Sequence, residues 1–214
     1  QREAPQVFFV HYEDMVQAQM LWVQPGEQGF RQEEVASAAL FNTYFGSGLT
    51  SVIFQEIREA QGLAYSAFAN YNLPAKQDKY AYFYAYVGTQ ADKVPDAMAS
   101  MAELLDGLPK RPENLEASRK AVRNSLAAER TVRQQKLFAY LSAQDRGINF
   151  DASKLAYEQT PDLGYNELAT FFDRITGQQP YTLLVMGDRN KVDMAALEAF
   201  GEVEELELET LFGY

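Results

Sequence analysis

An arginine and a tyrosine seven positions apart, with a glycine between them, can aim two kinds of hydrogen-bond donor at one ligand, and Arg58-Glu-Ala-Gln-Gly-Leu-Ala-Tyr65 has that arrangement. Guanidinium offers a rigid fork of donors and tyrosine a single directed hydroxyl, the groups needed to hold a peptide backbone and to stabilise an oxyanion. The elements around the pair explain how it could converge. Apolar Val52, Ile53, Phe54 and Ile57 predict a helix from Ser51 to Ala60 with Ser51 as N-cap. Gly62 stands where a left-handed C-cap is expected, and Leu63 to Tyr71 reads as a strand. Arg58 then falls in the last helical turn and Tyr65 near the strand's start, at one edge of a sheet. The alternative is that Arg58 complements the helix dipole and Tyr65 packs in the sheet, and spacing alone favours it.

The longer run Phe41 to Ser66, with Phe54-Gln-Glu-Ile-Arg-Glu-Ala-Gln-Gly-Leu-Ala-Tyr-Ser66 as its specific part, resembles the pitrilysin/insulinase-type zinc metallopeptidase family, the inverzincin group. It resembles the half that carries no zinc, and this reverses the preference left by spacing. The resemblance implies a LuxS/mitochondrial-processing-peptidase-like half, with Arg58 and Tyr65 as catalytic and substrate-binding residues. It also implies a partner half, in the same polypeptide or a separate subunit, that supplies zinc, its ligands and a glutamate base for hydrolysis of a peptide substrate in a closed chamber. The competing readings are a non-catalytic scaffold or assembly subunit of the same fold and a peptide-binding module.

No metal is expected in this chain. An inverzincin site needs His-x-x-Glu-His, whereas His11 is the only histidine and is followed by Tyr12-Glu-Asp-Met15, and cysteine is absent. A serine triad lacks its base for the same reason. This chain alone is therefore expected to be inactive. The formal net charge of -11 argues against nucleic acid as a partner. That charge permits a preference for basic peptides, although solubility alone accounts for an acidic surface. No apolar run approaches the ~20 residues of a membrane span, and the mean hydropathy of -0.34 suits a soluble chain. Cytoplasm and periplasm both stay open. The chain starts at Gln1, so it is read as a processed product or a domain cut from a longer protein.

The 214 residues predict one α+β domain, 1–214, with a twisted, largely antiparallel sheet covered by helices on one face. Strands are expected at Val7 to Tyr12, Val16 to Val23 (closed by Pro25-Gly26), Leu63 to Tyr71, Lys79 to Gly88 and Tyr181 to Met186. The third and fourth form a hairpin. A last edge strand is expected to alternate Glu205, Glu207 and Glu209 with Leu206 and Leu208. Helices are expected at Glu33 to Phe45, Asp92 to Leu105 and Tyr165 to Ile175, with one long bent helix from about Glu113 to Gln144. The basic residues of that long helix, Arg119, Lys120, Arg123, Arg130, Arg133 and Lys136, read as a solvated face supported by Glu116–Lys120 and Glu129–Arg133 pairs. Gly46-Ser-Gly48 lacks the third glycine of a dinucleotide fingerprint and reads as a helix-breaking loop.

Tyr80, Tyr82, Tyr84 and Tyr86 alternate with Ala81, Phe83, Ala85 and Val87, so one side of that strand is aromatic and hydroxylated. The apolar side suits packing under helices. The tyrosine side is either an ordinary solvated face or a wall for a bound peptide. The resemblance favours the wall, with Tyr82 and Tyr84 as substrate-binding residues.

Overall fold

The computed structural model describes residues 4–129, 132, 135–177 and 180–213. Strands β1 (Gln6–His11) and β2 (Gln17–Gln28) open the chain. Helix α1 (Val35–Phe41) follows and continues into a π-helical segment, Asn42–Gly46. A second π-helical segment, Phe54–Ala60, leads to the hairpin β3 (Ala64–Asn72) and β4 (Tyr80–Gln90). Helices α2 (Val94–Asp106), α3 (Pro112–Ala128), α4 (Gln135–Asp145), α5 (Ser153–Gln159) and α6 (Tyr165–Thr176) precede β5 (Thr182–Gly187). Helix α7 (Met194–Phe200), β6 (Glu202–Glu205) and α8 (Leu208–Phe212) end it.

Six strands form one sheet in the order β3-β4-β2-β5-β1-β6. The pairings β3–β4, β4–β2 and β2–β5 are antiparallel and β5–β1 and β1–β6 are parallel, so the sheet is mixed. Alternation assigns its two faces. Val7, Phe9, Ala18, Met20, Trp22, Ala67, Ala69, Tyr71, Phe83, Ala85, Val87, Leu183 and Val185 are buried in one core with residues of α1, α2 and α6. The registers put Phe68, Tyr86, Leu21, Leu184 and Phe8 in one row across the opposite, partly exposed face. Tyr82, at 45% exposure, and Tyr84 lie on that open face as the alternation predicts, while Phe83 and Val87 are fully buried.

Three elements differ clearly from the sequence reading. Strand β2 does not close at Pro25-Gly26 but runs to Gln28. Beyond Val23 it is paired only with β4, and the register slips between Pro25 and Gln28, a setting that tolerates a residue without an N–H. The long helix is two helices, because Glu129 is extended and the last apolar contact of α3 is Leu126. Arg130 and Arg133, and with them the Glu129–Arg133 pair, lie outside the described residues. The edge strand is Glu202–Glu205, pairing in parallel with β1, and the run that alternates on paper enters α8. Its glutamates still leave a charged edge.

The solvated face of α3 is present where described: Glu116 lies 3.3 Å from both Arg119 and Lys120, and Lys120 holds its carboxyl below the usual range. Just after β5, buried Asp188 accepts from the Asn190 and Asp14 N–H groups and pairs with Lys191 at 3.0 Å. These bonds, the Asn190 N–H first, hold its carboxyl below the ordinary value.

Candidate functional site

Arg58 is carried by a segment fastened from several sides. Ser51 is buried and its hydroxyl accepts from the Phe54 N–H at 3.4 Å, the expected N-cap, while Val52, Ile53 and Ile57 sink into the core. Only Val52 and Ile53 take the α form; from Phe54 the helix is wound as π. π winding within a helix often accompanies functional positions. Glu56 pairs with Arg111, whose N–H in turn donates to the Tyr44 hydroxyl at 2.8 Å, and that hydroxyl donates to the Pro109 carbonyl at 2.6 Å. The linker after α2 thus braces the Arg58 segment. Burial pushes the Tyr44 hydroxyl up from its ordinary value and keeps it a neutral donor.

The turn to β3 follows the glycine. Gly62 has φ +60°, and its N–H donates to the Arg58 carbonyl at 3.1 Å while the Leu63 N–H reaches the Ile57 carbonyl at 3.0 Å. The Thr89 hydroxyl also donates to the Leu63 carbonyl, tying the turn to β4.

Tyr65 owes its position to a β-bulge. Ala64 pairs with Thr89 and Ser66 with Gly88, so Tyr65 is the extra residue between them. Strict alternation would place it with Ala67, Ala69 and Tyr71 beneath the helices. The bulge releases it, and Tyr65 is 81% exposed. No hydrogen-bond partner for its hydroxyl lies among the described residues. Arg58 is half exposed, with its guanidinium carbon 4.8 Å from the Phe54 ring and its Nε 3.9 Å from Glu59. Arg58, Glu59, Ala64 and Tyr65 line one shallow depression. Arg58 and Tyr65 thus border one depression, and the bulge that exposes Tyr65 is a feature that single-strand alternation misses.

Tyr82 and Tyr84 are not part of that depression. They stack on each other at 6.0 Å, Phe68 packs edge-on to Tyr84 at 6.1 Å and stacks on Tyr86 at 5.0 Å. Six or seven strand residues separate Tyr82 from the Gly88–Thr89 end, roughly 20 Å at the usual rise. They line the open face leading away from Arg58 and Tyr65. A buried network anchors the strand that carries Tyr65: Glu34 accepts from Tyr71 at 3.0 Å and from Arg174 at 2.9 Å, joining β3 to α6. Burial, and then the Glu34 charge, drive the Tyr71 hydroxyl well above its ordinary value.

The donor set does not fit an inverzincin zinc. His11 ends β1 and its Nδ1 accepts from the Arg189 N–H at 3.2 Å, and there is no second imidazole to complete a pair. Among the described residues no three of His, Cys, Asp and Glu cluster as metal ligands, and no helix is long and apolar enough to cross a membrane.

The model of the family described as the peptidase M16 inactive domain matches residues 1–122. Among solved structures, the chain is similar to a peptidase M16 inactive domain from Pseudomonas fluorescens, with TM-score 0.70 and 15% identity over 89% of this chain and 45% of that one. It is similar to the periplasmic protease PqqL from Escherichia coli, with TM-score 0.64 and 12% identity over 88% and 21%. It is also similar to pitrilysin, with TM-score 0.59 and 13% identity over 94% and 22%. The chain spans less than half the length of each of these. No curated protein matches it.

Proposed function

Because this chain belongs to the peptidase M16 inactive-domain family, we propose that it is the substrate-binding half of a zinc-dependent metalloendopeptidase that hydrolyses peptides in a closed chamber. The single observation behind this reading is Tyr65, turned out of the sheet by a bulge, its hydroxyl unpartnered among the described residues, in one depression with Arg58. A strand that needed the tyrosine only for packing would not expose it. The open sheet face supplies a wall along which an extended peptide would lie, with Tyr82 and Tyr84 contacting it away from the scissile bond.

The division of labour follows from the side chains. The Arg58 fork holds a backbone carbonyl of bound peptide, and the Tyr65 hydroxyl donates to the oxygen on which negative charge develops when water adds to the scissile carbonyl. Neither group is a base or a nucleophile here. Zinc and the glutamate base belong to the paired half, in the same polypeptide or in a separate subunit, and no step of theirs is assigned to this chain.

Arg58→Ala in the assembled two-half enzyme tests this reading. A backbone clamp acts on bound substrate and on the transition state alike, so KM is expected to rise and kcat to fall, each by roughly tenfold. Steady-state kinetics on a short peptide, beside a melting curve, separates the two effects. Unchanged kcat and KM in a well-folded variant would remove Arg58 from the mechanism and leave the scaffold reading ahead.

A further inference from the structure

Tyr65 stands between two depressions, and the second is chemically unlike the first. It encloses about 180 Å³ at the end of the sheet and is lined by Gln17, Gly62, Leu63, Thr89, Gln90 and Lys93 together with Ala64 and Tyr65. Lys93 is its only charged lining residue. In a chain of net charge -11, a recess with one cation and no carboxylate is locally of the opposite sign. Lys93 Nζ lies 3.5 Å from the Gly62 carbonyl and has no carboxylate partner among the described residues. Gln17 and Gln90 face each other across β2 and β4, in register with Gln19–Gly88 and Leu21–Tyr86 and hence on the open face. Their side-chain amides are also unpartnered among the described residues. An ammonium and two amides, with donors left unused by the fold, therefore border one recess beside the exposed tyrosine.

We propose that this recess is a subsite for a carboxylate of the bound peptide, held by Lys93 and by the amide groups of Gln17 and Gln90. The assignment rests on the peptidase reading and deepens it by naming a substrate preference. Its sign opposes the chain's overall acidity, which would favour basic peptides. Two sources share this chemistry: an aspartate or glutamate side chain near the scissile bond, and the peptide's C-terminal carboxylate. A structural role for Lys93 as a counter-charge to the Gly62 carbonyl would hold the turn but would confer no ligand preference.

The test uses the assembled two-half enzyme and short peptides that differ only by Glu against Gln at the residues flanking the scissile bond, each made with a free or an amidated C-terminus. Both kcat/KM and equilibrium binding by fluorescence anisotropy are measured for the natural sequence, Lys93→Met, Lys93→Arg and Lys93→Glu, with a melting curve for each. The carboxylate-bearing peptide is expected to be favoured by about fivefold, the upper range for an exposed ion pair. The preference should shrink in high salt, persist in Lys93→Arg, vanish in Lys93→Met and invert in Lys93→Glu. The Glu/Gln and acid/amide arms identify the source. Equal treatment of all the peptides, or a preference that Lys93→Met retains, would overturn the subsite. Lys93-dependent binding without turnover would leave the subsite standing and overturn the hydrolytic reading, whereas turnover without a preference would do the reverse.

Discussion

Tyr65→Phe in the assembled two-half enzyme is expected to lower kcat on the order of 10²–10³-fold, the usual loss when one oxyanion donor is removed. The substitution deletes only a hydroxyl that has no partner among the described residues, from a ring that is 81% exposed, so folding should be unaffected. KM should change little, because the hydroxyl meets its partner fully only as charge develops on the scissile oxygen. Steady-state kinetics, a melting curve and the zinc content of the partner half check the three parts together. Near-normal turnover in a folded Tyr65→Phe enzyme would take the tyrosine out of the mechanism.

Phe41→Ala is expected to destabilise the chain by about 3–5 kcal/mol, the range for emptying a buried aromatic site. Phe41 is fully buried at the end of α1 and contacts Phe45, Phe83, Phe171 and Phe172 with ring centroids 5.2 to 6.2 Å apart. It thus joins α1, the first π-helical segment, β4 and α6 at one point, and no neighbour can fill its volume without leaving another. For a chain of this size the melting temperature should fall by roughly 10 °C. Urea and thermal unfolding measure it. A loss under about 1 kcal/mol would mean that the helix layer is not keyed to the sheet through this cluster.

The parts of the site that are legible in the sequence are those decided by nearest neighbours. Gly62 can be read because a left-handed residue is needed to end a helix, Ser51 because its hydroxyl caps the next turn, and the two sides of β4 because a period of two survives in any sheet. The placement of Tyr65 is different. Its bulge exists only in the pairing of Ala64 with Thr89 and Ser66 with Gly88, which no local pattern in β3 announces. The π winding that carries Arg58 has no local signature either, and its segment is tied through Glu56 to Arg111, more than fifty residues along the chain.

The mixed character of the sheet comes from the longest-range pairings. Strand β1 takes parallel partners from β5 and β6, near the other end of the chain. The division between α3 and α4 shows the limit of propensity: charged, helix-favouring residues continue after Leu126, but apolar contacts with the core stop there. The recess around Lys93 was also hidden, since it collects residues from β2, the turn before β3, the end of β4 and the turn before α2.

The most direct test of the central claim is chelator-sensitive hydrolysis of a short peptide by this chain, by its zinc-binding half, and by the two together, all tag-free, with metal content measured for each. Cleavage is expected only from the combination, with zinc found in the partner half and lost activity on chelation. Tight stoichiometric zinc or chelator-sensitive proteolysis in this chain alone, or full activity of the zinc-binding half without it, would contradict the account.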